Sequence, residues 1–99
     1  MLYPVAIETG DNEHAYGIIF PDLPNCFSAG DTLDEALNNA HEAAEMYLED
    51  LAKRQIPPPQ ASNLETLQMD PEYHGWSWAI IDVNIEPYCS AQQPQRDER

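Results

Sequence analysis

The stretch FPDLPNCFSAGDTLDEA, residues 20–36, decides the fold, because it combines a strand end, a turn, a short strand and a helix start. Pro21 and Pro24 lack a backbone N–H and do not suit the middle of a sheet, so we expect them to frame the turn. Asn25 tolerates a positive φ and can close that turn. The stretch is therefore predicted to be a strand–turn–strand–helix corner, with its second strand at Cys26–Ala29.

A helix is predicted to begin directly after this corner. Thr32 and Glu35 have the spacing of a capping box, in which the hydroxyl accepts from the N–H of Glu35 and the Glu35 carboxylate reaches back to the N–H of Thr32. From Leu33 to about Lys53, apolar residues recur every three or four positions and acidic residues occupy the other side. This pattern predicts one long amphipathic helix, whose alanine-rich middle would let it lie close to a sheet.

Three further segments are predicted to be strands. Leu2–Glu8 and Ala15–Phe20 are rich in strand formers and are joined by a polar turn, which favours a hairpin. Pro4 suggests an edge position or a bulge for the first of them. Trp76–Ile85 contains two tryptophans, so we expect it to be central or well covered. The predicted order is β-β-β-α-(α)-β, an α+β fold with a four-stranded sheet and one long helix on one face.

The connection between the long helix and the last strand starts with three consecutive prolines, Pro57–Pro59, which predict a stiff extended connector. Ser62 and Glu65 have the spacing of a second capping box, so a short helix is predicted at Asn63–Gln68. The other face of the sheet would then have no long helix over it. This favours cover by a partner or by a second copy of the chain, as in a dimer or a higher homo-oligomer.

The composition is that of one small acidic domain. The chain has 99 residues, a net charge of −14 and only four basic residues. Residues 1–86 are predicted to form the domain, and the polar residues 87–99 to be a disordered tail. Acidity disfavours direct nucleic-acid binding and favours a basic partner, although it could also serve solubility alone.

Sequence patterns also bear on the compartment. The chain starts without a basic leader followed by an apolar run and contains no long apolar segment, so we expect a cytoplasmic protein with no membrane association. Its two cysteines, Cys26 and Cys89, are too few for a disulfide framework. We expect both to be reduced, and Cys26 to be a packed side chain rather than a nucleophile.

No pattern typical of a catalytic or cofactor site occurs in the sequence, such as a Gly-rich phosphate loop, a Cys/His metal spacing or a nucleophile elbow. We therefore predict no enzymatic activity, no metal and no cofactor. The enzymatic alternative is a metal-dependent nuclease, whose carboxylates must converge at strand ends to hold divalent ions. The candidate ligands for such a site are Glu8, Asp22, Glu35 and Asp82.

Residues 20–36 resemble the hallmark segment of HicB-like antitoxins of type II toxin–antitoxin systems. The aromatic hairpin before it and the strand from Trp78 to Val83 also fit, so the resemblance covers about residues 2–86. The family's usual glycine before the cysteine is Asn25 here, which keeps the tolerance for a positive φ. The resemblance implies a degenerate ribonuclease H-like domain without catalytic activity. It also implies a partner, the HicA toxin, which is a small basic ribonuclease with a double-stranded-RNA-binding-like fold.

The same resemblance implies that the chain covers the toxin's active histidine and so protects mRNA. The corner residues that we predict to contact a partner are Asp22, Asp31, Asp34 and Glu35. Family members commonly add a C-terminal DNA-binding domain of ribbon-helix-helix or helix-turn-helix type. The polar residues after Ile85 cannot form one, so we expect no operator binding by this chain. The alternative function is that of an orphan HicB-like domain without a toxin.

Overall fold

A four-stranded antiparallel sheet and one long helix dominate the structure. A computed structural model describes residues 1–9 and 15–89. The strands are β1 (Leu2–Glu8), β2 (Tyr16–Ile19), β3 (Phe27–Gly30) and β4 (Ser77–Asp82). The helices are α1 (Leu33–Lys53), α2 (Leu64–Gln68) and α3 (Glu86–Cys89), with a 3₁₀ turn at Pro71–Tyr73. The sheet order is β3-β2-β1-β4. The predicted α+β class is confirmed, as are the bounds of the first strand and of the long helix.

The core lies between α1 and one face of the sheet. Alternate residues of β1, namely Tyr3, Val5 and Ile7, face this core and are at most 5% exposed. The first half of α1 buries only alanines, whose small side chains let the helix lie close to β2 and β3. Its second half fills the wider end of the core with leucines. The buried residues of the helix are Ala36, Ala40, Ala44, Leu48 and Leu51.

β1 is a central strand, contrary to the edge position that Pro4 suggested. The N–H of Val83 donates to the carbonyl of Met1, so the odd-numbered residues of β1 bond to β4 and the even-numbered ones point to β2. β2 ends at Ile19, opposite Ala6, before the ladder reaches Pro4. The missing N–H of this proline therefore removes no ladder hydrogen bond.

β4 was expected to be central or well covered, and it is an edge strand, so the central position is wrong. It pairs with β1 alone and is shorter than the predicted Trp76–Ile85. Trp78 lies opposite Ala6 and points away from α1. The ring of Tyr73 packs edge-on against Trp78, with the ring centroids 5.4 Å apart. The segment leading into β4 thus covers the tryptophan, and the sheet face opposite α1 is not entirely bare.

The turn between β2 and β3 closes as predicted. Asn25 has a φ of +70°. The N–H of Phe20 donates to the carbonyl of Cys26 at 3.2 Å, and the N–H of Cys26 donates to the carbonyl of Leu23 at 2.9 Å. Because the turn itself uses the N–H of Cys26, β3 begins one residue later than predicted, at Phe27.

Two side-chain hydrogen bonds stabilise the start of α1, and one of them differs from the predicted capping box. The Thr32 hydroxyl accepts from the N–H of Glu35 at 3.1 Å, as expected. The Glu35 carboxylate, however, accepts from the N–H of Asp31 at 2.7 Å rather than from that of Thr32. The reciprocal bond has moved one residue outward, and both carboxylates of the first turn still favour the positive end of the helix dipole.

The connector after α1 is bound to β1 at one point and to the turn after β2 at another. The Tyr3 hydroxyl donates to the carbonyl of Pro59 at 2.7 Å. Ser62 was predicted to cap α2, but Asn63 does so, because its side chain accepts from a backbone N–H of the first turn at 2.8 Å. Ser62 instead donates its N–H to the Asp22 carboxylate at 2.8 Å, and its hydroxyl to the same carboxylate.

The predicted disordered tail is partly ordered. Glu86–Cys89 form α3, which lies against α1, and Tyr88 packs against the core. Residues 90–99 lie outside the described residues, as does the turn at 10–14. Of the helices that the structure describes, none has the length and apolar character needed to cross a membrane.

Gly30 lets the first turn of α1 rest directly on β3. A Cβ at this position would lie 2.5 Å from the backbone nitrogen of Ala36 and 2.9 Å from its Cα. Since these are backbone atoms, we expect Gly30→Ala to lower the free energy of unfolding by about 1–3 kcal/mol. Gly17→Ala is the matched control, because the nearest heavy atom there would be 3.8 Å away. Urea denaturation measures both variants, and equal stabilities would contradict the close approach.

Candidate partner-binding surfaces

The acidic corner residues predicted to contact a partner lie at two places. Asp31, Asp34 and Glu35 surround the start of α1 and are exposed. Asp22 lies in the turn after β2, where it is half-buried and binds Ser62. The structure thus groups three of the four and gives the fourth a structural role.

Carboxylates continue along the exposed side of α1 and form what we call the acidic ridge. It consists of Asp34, Glu35, Glu42, Glu45, Glu49 and Asp50. Asp50 pairs with Arg54 at 3.0 Å, and Glu45 lies 3.7 Å from His41. Within the described residues the other members have no cationic partner. The sequence reasoning did not select most of these as site residues, although helical spacing already put them on one side.

An apolar groove lies between α1 and the start of β3. It has a volume of about 330 Å³ and is lined by Asn25, Cys26, Phe27, Ala43, Met46 and Tyr47. Met46 is large and apolar, yet it is 69% exposed. Phe27 is 68% exposed, and its side chain points away from α1, because it pairs with Ile19 while Ser28 faces the helix. Cys26 is buried. Sequence reasoning missed this groove, because its walls come from two segments that only the fold brings together.

The two edges of the sheet differ in how well their backbone groups are paired. On β3, the outward carbonyl of Ala29 accepts from the side-chain amide of Asn39 at 2.9 Å, so α1 caps part of this edge. On β4, the main-chain groups of Trp78, Ile80 and Asp82 point away from β1. They have no partner among the described residues, and the β4 edge is open.

The carboxylates of the alternative nuclease site are not brought together. Asp82 lies opposite Leu2, whereas Glu8 is at the other end of β1, about 20 Å away at the rise of a strand. Glu35 accepts a hydrogen bond from the N–H of Asp31, and Asp22 accepts one from the N–H of Ser62. Across residues 1–9 and 15–89, no three His, Cys, Asp or Glu side chains are placed to hold a metal ion.

Comparison with known proteins decides the family. A family model described as HicB_like antitoxin of bacterial toxin-antitoxin system matches residues 3–96. The chain belongs to the HicB-like antitoxin family. Antitoxin HicB 2 of Photorhabdus laumondii subsp. laumondii is 40% identical over 63 residues, which cover 60% of this chain and 42% of that protein. The resemblance found in the hallmark segment is thereby confirmed.

Solved structures confirm the fold of this HicB-like chain. The Burkholderia pseudomallei antitoxin HicB matches with a TM-score of 0.79 and 33% identity, over 98% of this chain and 72% of that one. A chain of the HicA3 and HicB3 toxin–antitoxin complex matches with a TM-score of 0.69 and 26% identity, over 85% of this chain and 99% of that one. This chain spans between 40% and 62% of the length of three curated relatives that it matches.

The reactivity of the Cys26 thiol reports whether reagents in solution reach the floor of the groove. Burial raises the pKa of this thiol to about 11, so it is neutral at physiological pH. In a Cys89→Ser background we expect iodoacetamide to react very slowly at about pH 8, and about ten-fold faster per pH unit up to about pH 11. In urea the same variant should reach its maximal rate near the ordinary thiol pKa. Equal rates for folded and unfolded protein at about pH 8 would show that the thiol is accessible and not shifted.

Proposed function

We propose that this HicB-like chain is an antitoxin that binds a small basic HicA-type ribonuclease and blocks mRNA cleavage by covering its active site. The observation that carries the proposal is the acidic ridge of α1 in a chain of this family. A structural relative solved as a toxin–antitoxin complex supports a HicA-type partner. The proposed inhibition needs no chemistry by the antitoxin itself.

The physical basis of the inhibition is competition for a basic surface. A ribonuclease must neutralise the phosphates of its RNA with Lys or Arg, so its active site lies in a positive field. The carboxylates of the acidic ridge can pair with the same cations and displace the RNA. The net charge of −14 would also speed the encounter at low salt. Because the chain has the same sign of charge as RNA, we propose that it does not itself bind nucleic acid. We also propose that it acts in the cytoplasm, where the mRNA cleaved by such a toxin is found.

Inhibition of RNA cleavage tests this function directly. A small basic protein encoded by the neighbouring reading frame is the toxin to purify, and cleavage of a labelled RNA is followed while the antitoxin is titrated in. We expect cleavage to stop near a stoichiometric ratio, because steric cover needs one antitoxin surface for each active site. Bovine serum albumin is the protein control. Undiminished cleavage at a large excess of the chain would overturn the proposal.

The corner carboxylates are proposed to steer the toxin toward its site. The triple variant Asp31→Asn, Asp34→Asn and Glu35→Gln removes three negative charges, while the glutamine keeps an acceptor for the N–H of Asp31. We expect association about three- to ten-fold slower in low salt, with the difference shrinking as salt screens the charges. Stopped-flow fluorescence measures the rate.

A second triple variant controls for net charge alone. Glu65→Gln, Glu72→Gln and Glu86→Gln remove the same charge from exposed positions outside the corner. If both triple variants slow association equally, the corner has no special role. Asp22 is also a proposed contact, but it is left unchanged because its loss would release the connector from Ser62.

We further propose that the chain forms a homodimer through the open edge of β4. If Ile80 of one copy lies opposite Ile80 of the other, antiparallel pairing places Trp78 opposite Asp82 of the second copy. The outward backbone groups of all three residues then find partners, and no two carboxylates face each other.

Sedimentation velocity tests the dimer. We expect a wild-type dimer and an Ile80→Pro monomer, because proline removes the outward N–H of an edge strand without breaking the ladder to β1. Ile80→Thr keeps that N–H and serves as the control for loss of the side chain. A monomeric wild type, or a dimeric Ile80→Pro variant, would exclude this edge as the interface.

A further inference from the structure

We infer that the apolar groove between α1 and β3 receives an apolar side chain from a short extended segment of the toxin, and that basic residues flank this side chain. The inference rests on the proposed antitoxin function and names the place where part of that partner docks. It concerns a site distinct from the corner carboxylates, because its walls are apolar.

The shape of the groove suits an inserted side chain. Met46 stands exposed on the helix side, and Cys26 and Ala43 in the lining have small side chains. Phe27 pairs with Ile19 while its neighbour Ser28 faces α1, so the Phe27 side chain lies on the other face of the sheet and its backbone borders the groove. One exposed methionine is ordinary, but here it borders an apolar concavity that is open to a partner. The flexible thioether of Met46 can adapt to the guest.

The backbone beside the groove favours an extended segment. Since the carbonyl of Cys26 accepts from the N–H of Phe20, directly after β2, the N–H and carbonyl of the next residue, Phe27, point outward. Within the described residues these two groups have no partner. The carbonyl of Ala29 already accepts a hydrogen bond from the Asn39 side chain. An added strand could therefore pair with β3 at Phe27 but not at Ala29. The geometry thus fits a short pairing beside an anchored side chain, which is a known mode of peptide recognition.

The charge around the groove decides which occupant fits. Glu42 and Asp50 lie one helical turn before and after Met46, so their carboxylates flank its side chain, and Glu49 is close by on the same helix. Among the residues that the structure describes, the one cation paired with these three is Arg54, which binds Asp50. A second copy would bring further carboxylates to the same place and be repelled. A basic protein would complement them, and this is the charge of the proposed toxin.

Two substitutions test the groove without disturbing the core. Phe27→Pro removes the outward N–H without breaking the ladder to β2, and Met46→Ser removes an exposed side chain. Met69→Ser is the matched control, because Met69 is 82% exposed and does not line the groove. We expect each groove variant to bind the toxin about ten-fold more weakly, which is typical of a central interface residue, and the control to bind like wild type. Titration calorimetry measures the affinities, and thermal melts confirm folding.

The salt dependence separates the groove from the acidic ridge. A lost apolar contact should weaken binding by the same factor at low and high salt, whereas lost charges matter only at low salt. If wild type binds the toxin and the groove variants bind equally well, the groove inference is wrong while the antitoxin proposal stands. If Met46→Ser instead abolishes self-association, the groove is an interface between copies, which also overturns the inference.

A synthetic peptide tests the groove even if no toxin is bound. The probe is a short peptide with one leucine between arginines and lysines, titrated into the isotope-labelled chain and followed by NMR. We expect shifts at Phe27, Ala43, Met46 and Tyr47, and none with serine in place of the leucine. Shifts that are absent, or that are the same for both peptides, would overturn the groove inference. If the wild-type chain binds the peptide but does not inhibit the toxin, the antitoxin proposal is wrong, while the groove still binds an apolar side chain flanked by basic residues.

Discussion

The contact between Gly30 and the first turn of α1 is the constraint on which the other features depend. With no side chain at this position, the helix starts directly on β3 and continues across the neighbouring strand. The alanines that follow keep the helix close to the sheet, and Leu48 and Leu51 bury the wider end. This placement turns the charged side of α1 to solvent and leaves the groove beside β3. The ridge and the groove both follow from one close approach.

The polar residues of the corner are largely used by the fold itself. Thr32 and Glu35 cap the helix, and Asp22 anchors the connector through Ser62. A carboxylate engaged in such a bond can still contribute charge to a partner, but it cannot turn toward that partner freely. Binding energy is therefore better sought along the ridge, where Glu42 and Glu49 have no cationic partner among the described residues. Thr32, Glu35 and Asp22 thus fix the geometry of the corner, while charge without a cationic partner continues along the ridge.

Features set by interactions between near neighbours in the chain could be predicted from the sequence. The bounds of α1, its Thr32 cap and the positive φ of Asn25 are of this kind, because each depends on a few adjacent residues. Features set by distant pairing could not. Pro4 fits in a central strand because β2 ends before it would pair with Pro4. Ser62 does not cap α2 because it is hydrogen-bonded to Asp22 instead. The groove was missed for the same reason, since its two walls are distant in sequence.

The acidic ridge and one wall of the groove lie side by side on α1, and they act at different stages of binding. Charges at a rim act over about a Debye length and mainly raise the rate of encounter. A buried apolar contact acts only after the surfaces meet, so it mainly lowers the rate of dissociation. An antitoxin must capture its toxin quickly and hold it for long. With an acidic surface alone, association would be fast only at low salt. With a groove alone, dissociation would be slow, but so would association. Having Met46 one turn from Glu42 and Asp50 joins both parts in a single contact.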